Sequence, residues 1–238
     1  MRLKITFKAV PKFKIPYNSN YTIATIIYNA LDDQDYATEL HDDRGFKYFT
    51  FSQVQIPKLQ IESDGLISKD GRFHVFVSSA SEEFIRNLWN GLFKDPYVDF
   101  HGAQVEIEKA EILEKPVFNE SMLFRTLSPI VIRTIKNGKT WDLPAAAPQF
   151  WMQLKDNLLK KYKQFYGHYD GNEDIIVDLN EKTVKQKRVI IKKGDLEIYH
   201  RAYQMRFEMS ADPRLLEFAY DAGLGEKTGM GFGMINIT

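Results

Sequence analysis

The sequence contains no cysteine. That absence removes a disulfide framework, a thiolate zinc site, a cysteine nucleophile and an iron–sulfur cluster, and it fits a reducing compartment. Net charge is also missing: 32 Lys+Arg balance 32 Asp+Glu across 238 residues. A generically basic coat for nucleic acid is therefore excluded, whereas a local basic patch stays open. No apolar run approaches the ~20 residues that a membrane helix needs. The first residues, Met1-Arg2-Leu3-Lys4-Ile5-Thr6-Phe7-Lys8, alternate charged and apolar side chains as a strand does, unlike the unbroken apolar run of a signal peptide. The expectation is a cytoplasmic protein without a membrane partner.

Hydrophobic residues at 44% and aromatics at 13% give enough apolar material for a folded core. The length suits one large domain or two small ones. Leu3, Ile5, Phe7 and Ala9 fall on one face of a first strand. Asn18 or Asn20 can cap a helix carrying Ile23, Ile26, Ile27, Ala30 and Leu31. An acidic loop is expected from Asp32 to Asp43, then strands over Lys47–Ile56 and Phe73–Val77. Ser79-Ala80-Ser81-Glu82 reads as a capping box before a helix with Ile85, Leu88, Trp89 and Leu92, and Val105 and Ile107 mark a further strand. The order β-α-β-β-α-β is that of a ferredoxin-like domain.

Near Pro116 the pattern begins again. Leu127–Ile135 reads as a strand, Phe150, Trp151, Leu154 and Leu158 as one helix face, and Ile175–Leu179, Val189–Ile191 and Ile198–Phe207 as strands or hairpins. Asp212-Pro213 starts a helix that Gly223 can end, and Met230–Ile237 is the expected last strand. The fold class is α+β, with two tandem ferredoxin-like (RRM-like) domains over residues 1–115 and 116–238. This division also splits the charge. Residues 1–115 carry 14 basic and 17 acidic residues, and residues 116–238 carry 18 and 15. Residues 182–206 hold 8 basic residues against 2 acidic ones. Neutrality thus conceals a positive ribbon containing Lys185, Lys187, Arg188, Lys192 and Lys193.

The most unusual segment is Gly223-Leu224-Gly225-Glu226-Lys227-Thr228-Gly229-Met230-Gly231-Phe232-Gly233. Its glycines imply positive φ or close approach of another backbone, and its amides could cradle phosphate. It is not a P-loop, because Glu226 stands where the glycine before Lys-Thr belongs and the segment follows a helix instead of preceding one. A structural turn and a phosphate-binding loop both remain open on these residues alone. The histidines have no partners at metal-ligand spacing.

The pattern Gly223-Leu224-Gly225, five residues, Gly231-Phe232-Gly233 resembles the signature loop of the RAMP superfamily of CRISPR proteins. Further matches narrow it: Pro16-Tyr17-Asn18, Ile26-Ile27-Tyr28-Asn29-Ala30, Leu40-His41, Lys47-x-Phe49-Thr50-x-Ser52, Asn90-Gly91-Leu92 and Leu127-Ser128-Pro129-Ile130. Together they resemble the repeat-RNA endoribonuclease of that superfamily (the "Cas six" family) along essentially the whole chain.

The resemblance implies cleavage of precursor CRISPR RNA within repeats, with no metal ion and no cofactor. The ribose 2′-OH would attack the adjacent phosphate, leaving a 2′,3′-cyclic phosphate (or 3′-phosphate) and a 5′-OH. It places the catalytic roles on His41, Tyr28 and Lys47: a proton carrier, a hydrogen-bond partner at the 2′-OH, and a fixed positive charge. Whether His41 is base or acid stays open. The resemblance also implies RNA contacts from Lys185, Lys187, Arg188, Lys192, Lys193 and Lys227, and from the loop at Gly223, Gly225, Gly231 and Gly233. The implied partners are CRISPR repeat RNA and, further, other subunits of a CRISPR effector complex, with a homodimer allowed. A non-catalytic RNA-binding subunit of such a complex is the alternative. Without the resemblance, His41 beside Asp42 and Asp43 reads as a solvated loop residue, Tyr28 as helix packing and Lys47 as a strand-edge lysine.

Overall fold

A computed structural model describes residues 1–43, 45–193 and 196–238, with the side chains of all of these except Lys193. The first half begins with β1 (Arg2–Lys8), β2 (Phe13–Ile15), α1 (Asn20–Asn29) and α2 (Gln34–Asp42). It continues with β3 (Phe49–Phe51), β4 (Leu59–Glu62), β5 (Gly65–Ser68), β6 (Arg72–Ser79), α3 (Glu82–Gly91), β7 (Tyr97–Phe100) and β8 (Ala103–Leu113). Its main sheet runs β3-β6-β1-β8-β7, and β2, β5 and β4 form a small separate sheet. The alternation read from the first strand is what seats it. Leu3 faces Val77, Ile5 faces Val75 and Phe7 faces Phe73 across β1 and β6, and all six side chains are buried with Ile23, Ile27, Phe84 and Leu88 of the helices.

The second half contains β9 (Ser121–Thr126), β10 (Arg133–Lys136), β11 (Lys139–Asp142), α4 (Pro148–Tyr166), β12 (Ile176–Leu179), β13 (Lys185–Lys193), β14 (Leu196–Gln204), β15 (Arg206–Ser210), α5 (Pro213–Ala222) and β16 (Ile235–Ile237). Its main sheet runs β12-β15-β9-β16, and β10–β11 and β13–β14 are separate hairpins. With the hairpins set aside, both main sheets place second, third, first and fourth strands side by side. The chain therefore holds two ferredoxin-like βαββαβ units, as the order of elements predicts.

Several local expectations are corrected. Asp32–Asp43 is mostly helix α2, not a loop: Asp33 caps it by accepting from the Asp35 and Tyr36 amides. The pattern hides it because Ala37 is its only buried residue. Neither Asn18 nor Asn20 caps α1, whose N-cap position is Ser19 and which has no side-chain cap. Both asparagines reach the second half instead, Asn20 donating to the Met230 and Gly231 carbonyls and Asn18 accepting from the Ile190 amide. The strand expected over Lys47–Ile56 is only Phe49–Phe51. The N-cap of α3 is Ser81, which accepts from the Phe84 amide. The segment Leu127–Ile132 is not strand, because its amides are drawn to different elements, Leu127 to the Met234 carbonyl and Ile130 to the Tyr203 carbonyl. The final strand is shortened to Ile235–Ile237, with a 3₁₀ turn over Thr228–Met230.

The two units are joined by polar and glycine-mediated contacts. Arg2 is buried although it lies on the face opposite the first core, and its guanidinium donates to Asn236, the Tyr220 carbonyl and the Ile235 carbonyl while resting 3.5 Å from the Tyr220 ring centroid. The glycine-rich segment supplies the rest. Gly231 has φ 74°, and a Cβ there would strike the Phe51 ring of β3. Gly233 has φ 75°, and a Cβ there would overlap the Leu224 carbonyl. Left-handed backbone costs an alanine about 1–2 kcal/mol, and overpacking adds roughly 1–3 kcal/mol. Gly233→Ala is therefore expected to lower the unfolding free energy by roughly 2–5 kcal/mol in a urea titration. Gly138→Ala, at φ 71° with open space around it, should lose only the first part, and equal losses would contradict this reading of the segment.

Candidate active site

Three elements of the first unit bring Tyr28, His41 and Lys47 together. Tyr28 lies near the C-terminal end of α1, His41 in the last turn of α2, and Lys47 two residues before β3. The His41 ring meets the Tyr28 ring edge-on, with centroids 5.8 Å apart and planes at 81°. The other flank of Tyr28 is held by Phe49, also edge-on at 5.8 Å. His41 Nδ1 is 3.1 Å from Asp42 Oδ1. An Nδ1–H donated to that carboxylate leaves the Nε2 lone pair free, a tautomer assigned from the contact. Burial, with smaller contributions from Tyr36 and Asp43, pushes the Tyr28 hydroxyl up to about 12. At neutral pH it is a protonated donor, as an unshifted tyrosine would also be.

Lys47 is turned toward α2. Its ammonium donates to the Leu40 carbonyl and to the Asp43 carbonyl, and Asp43 Oδ2 is 3.7 Å away. These carbonyls are at the C-terminal end of the helix, where a cation is favoured by the helix dipole. Burial lowers the Lys47 pKa, opposed by Asp43. In this position Lys47 fixes the end of the helix that carries His41.

On the far side of Lys47 lies the glycine-rich segment. Thr228 donates its hydroxyl to the Lys47 carbonyl at 2.9 Å, and Gly229 packs on the Lys47 side chain. A cleft of about 400 Å³ runs between them, lined by Phe46, Lys47, Arg133, Lys161 and Lys227 among others. Lys227 holds a left-handed backbone at φ 57°, and burial beside Arg133 lowers its pKa. The glycines do not present a free ring of amides. Gly223, Gly225, Gly231 and Gly233 are all buried, and the amides of Gly223, Gly231 and Gly233 bond to the carbonyls of Ala219, Thr228 and Pro129. Their role in the fold is close approach: Gly223 against Thr50, Gly225 against Val131 and Ile130.

The basic ribbon is the β13–β14 hairpin, and it is not in this cleft. It packs Val189, Ile191 and Ala202 on Val131 and Phe232 and meets the start of α1 through Asn18. Lys185 and Arg188 are exposed, Lys187 is half-buried, and Lys192 is exposed beside Glu197 at 3.3 Å. Arg188 stacks 4.3 Å from the Tyr199 ring centroid. The side chain of Lys193 lies outside the described residues.

Sequence reasoning missed Lys161. It is 1% exposed on α4, and its ammonium donates to the Gly223 carbonyl at 3.0 Å and the Gly225 carbonyl at 3.2 Å. The signal was available: Leu154, Leu158 and Lys161 share the buried stripe of one helix, and a lysine on such a stripe needs a partner. Burial drives its pKa from the ordinary 10.5 down to about 7, opposed by Glu226.

Two ferredoxin-like units welded through a glycine-rich segment, with a Tyr–His–Lys set at the weld, define a narrow class of protein. The chain matches the family model of CRISPR-associated protein Cas6, N-terminal, over residues 14–111 and that of CRISPR associated protein Cas6, C-terminal, over 112–237. It is 36% identical to the CRISPR-associated endoribonuclease Cas6 1 of Methanocaldococcus jannaschii, across 99% of this chain and 92% of that one. It is 32% identical to the CRISPR-associated endoribonuclease Cas6 of Pyrococcus furiosus, across 94% and 84%. A solved structure of a CRISPR associated protein Cas6 superposes with a TM-score of 0.86 at 35% identity, covering 100% of this chain and 99% of the other. A Cas6-related protein from Pyrococcus furiosus gives 0.88 at 27%, covering 100% and 98%. The chain belongs to the Cas6 family of CRISPR-associated proteins.

The buried lysine generates a pH dependence with a defined sign. Between about 7 and 10.5 the unfolded chain keeps a proton that folded Lys161 has released, so stability rises with pH across that window. Unfolding measured from the lower to the upper limit should show the wild type gaining stability relative to Lys161→Met, and parallel profiles would contradict it.

Proposed function

We propose that this chain is a metal-independent endoribonuclease that cleaves CRISPR precursor RNA within its repeats to make guide RNAs. The observation that carries the reading is the convergence of Tyr28, His41 and Lys47 beside the glycine-rich segment of the second unit, in a chain of the Cas6 family. Its relatives from Methanocaldococcus jannaschii and Pyrococcus furiosus are named endoribonucleases. Residues 1–115 supply the chemistry and residues 116–238 the seat for repeat RNA.

Each step falls to a group of this chain. With Nδ1 donated to Asp42, His41 Nε2 accepts the proton of the ribose 2′-OH as that oxygen attacks the adjacent phosphorus. The Tyr28 hydroxyl, protonated at neutral pH as any tyrosine is and held so further by burial, donates a hydrogen bond in the same space. Lys47 supplies positive charge toward the phosphorane while its bonds to the end of α2 hold His41 in place. The P–O bond to the 5′-oxygen then breaks as that oxygen takes a proton supplied through solvent by the His41 imidazolium, which leaves a 2′,3′-cyclic phosphate, a 5′-OH and a neutral His41. Lys227 lies across the cleft from Lys47 and takes a flanking phosphate. The glycines at 223, 225, 231 and 233 serve by bringing that backbone close. Lys185, Lys187, Arg188, Lys192 and Lys193 of the hairpin hold RNA further along, near the start of α1. Other subunits of a CRISPR effector complex are the further partners this reading allows.

The test is cleavage of repeat RNA in EDTA by the wild type and by His41→Ala. Cleavage by the wild type, lost by roughly 10²–10⁴-fold in the variant with RNA affinity retained, is expected. Tight binding by the wild type without cleavage would instead identify a non-catalytic RNA-binding subunit.

A further inference from the structure

The hairpin of β10 and β11 takes no part in either main sheet, yet it is firmly held. Its turn is Asn137-Gly138, both with positive φ, the pair favoured in a two-residue hairpin. Thr134 faces Trp141 and Lys136 faces Lys139, so these four share one face and Arg133, Ile135, Thr140 and Asp142 share the other. The second face is anchored. Arg133 is bound by the Glu226 carboxylate through its amide at 2.8 Å and its guanidinium at 2.7 Å. Asp142 accepts from the Arg201 amide at 2.8 Å and pairs with His200 at 3.2 Å.

Among the described residues the first face is largely open, with only Thr134 half-buried. Trp141 is 54% exposed there, unlike Trp151, whose indole donates to the Ala145 carbonyl. Lys136 and Lys139 are exposed and, among the described residues, neither forms an ion pair. Like charges placed directly opposite destabilise a hairpin. The combination of a rigidly presented indole with two unneutralised lysines is poorly suited to a protein partner, whose interfaces are depleted in lysine. It suits a polyanion that carries flat apolar faces, which is single-stranded nucleic acid.

The position is consistent with a path for RNA. The cleft at Lys47 and a second groove of about 640 Å³ share Arg133, Asn157 and Glu226. Arg133, Ile135 and Thr140 of the hairpin's other face line that second groove, and Thr134 of the Trp141 face lies at its border. An RNA strand leaving Lys47 thus reaches the β10–β11 hairpin and meets Trp141 by crossing its edge at Thr134.

We propose that the Trp141 face of this hairpin is a stacking platform for an unpaired base of the RNA, with Lys136 and Lys139 taking the neighbouring phosphates. The proposal rests on the reading of the chain as an RNA nuclease and deepens it by specifying that part of the bound RNA is single-stranded.

The experiment measures binding of full-length protein to single-stranded oligoadenylate and to an RNA duplex of equal length, in EDTA, for wild type, Trp141→Ala and Trp141→Phe. A stacked base contributes enough that Trp141→Ala should weaken single-strand binding by roughly 5- to 150-fold. Duplex binding should be nearly unchanged, and Trp141→Phe should recover most of the loss. With Trp89 and Trp151 replaced by Phe, the remaining indole fluorescence should be quenched by the single strand. Equal single-strand affinity in wild type and Trp141→Ala would overturn the platform alone. A wild type that binds neither RNA would overturn the RNA reading with it. A dimer that Trp141→Ala dissociates, with RNA affinity unmoved, would make the face a protein contact instead.

Discussion

Close backbone packing of the glycine-rich segment is the constraint on which the arrangement depends. Between Gly223 and Gly233 the chain passes over β3 with no room for a side chain at two of its glycines: Thr50 and Phe51 sit where Cβ atoms would project from Gly223 and Gly231. Polar bonds tighten the same contact. Thr50 donates to the Phe232 carbonyl at 2.8 Å, and Asn20 to the carbonyls of Met230 and Gly231. Because these acceptors are backbone atoms, position is fixed by the course of the chain and not by the rotamer of a long side chain. The segment belongs to the second unit, and its contacts are on α1 and β3 of the first, the elements that flank Tyr28 and Lys47.

Three supports converge on this segment from the second unit. Lys161 holds it from below at Gly223 and Gly225. Glu226 ties it to Arg133 and so to the β10–β11 hairpin. Phe232 plugs it into the cluster formed by Val131, Val189, Ile191 and Ala202, which carries the β13–β14 hairpin. The two hairpins and the Tyr–His–Lys set are thereby referenced to one rigid piece of backbone. This matters for the proposed chemistry, in which groups of both units hold a reacting ribose and its phosphate within a fraction of an ångström.

The legible parts of the sequence were those in which one face meets one core. Leu3, Ile5 and Phe7 announce their strand, and Asp212-Pro213 announces α5, whose first free amide at Arg214 is indeed capped by Asp212. Helix α2 was illegible because its ends are held by polar groups, Asp33 at one and Lys47 at the other, and its middle buries little. Leu127–Ile132 misled because apolar residues there serve a junction whose hydrogen bonds are split among Met234, Gly233 and a single bridge to Tyr203 of β14, with no continuous strand partner. Of the candidate site, His41, Tyr28 and Lys47 could be picked out by family resemblance, but the turn of Lys47 onto α2 could not, since it depends on where a helix unseen in the pattern ends. Lys161 and Trp141 left direct marks, a lysine on an apolar stripe and an indole two residues past the lysines of a hairpin turn.

The central claim is that the second unit positions the proposed catalytic lysine through this segment. The bond that carries it is the one from the Thr228 hydroxyl to the Lys47 carbonyl. Thr228→Val keeps the shape and removes the donor, so single-turnover cleavage of repeat RNA by this variant is the most direct measurement. A slower cleavage step with unchanged RNA affinity is the predicted result. A cleavage rate equal to that of the wild type would contradict the account.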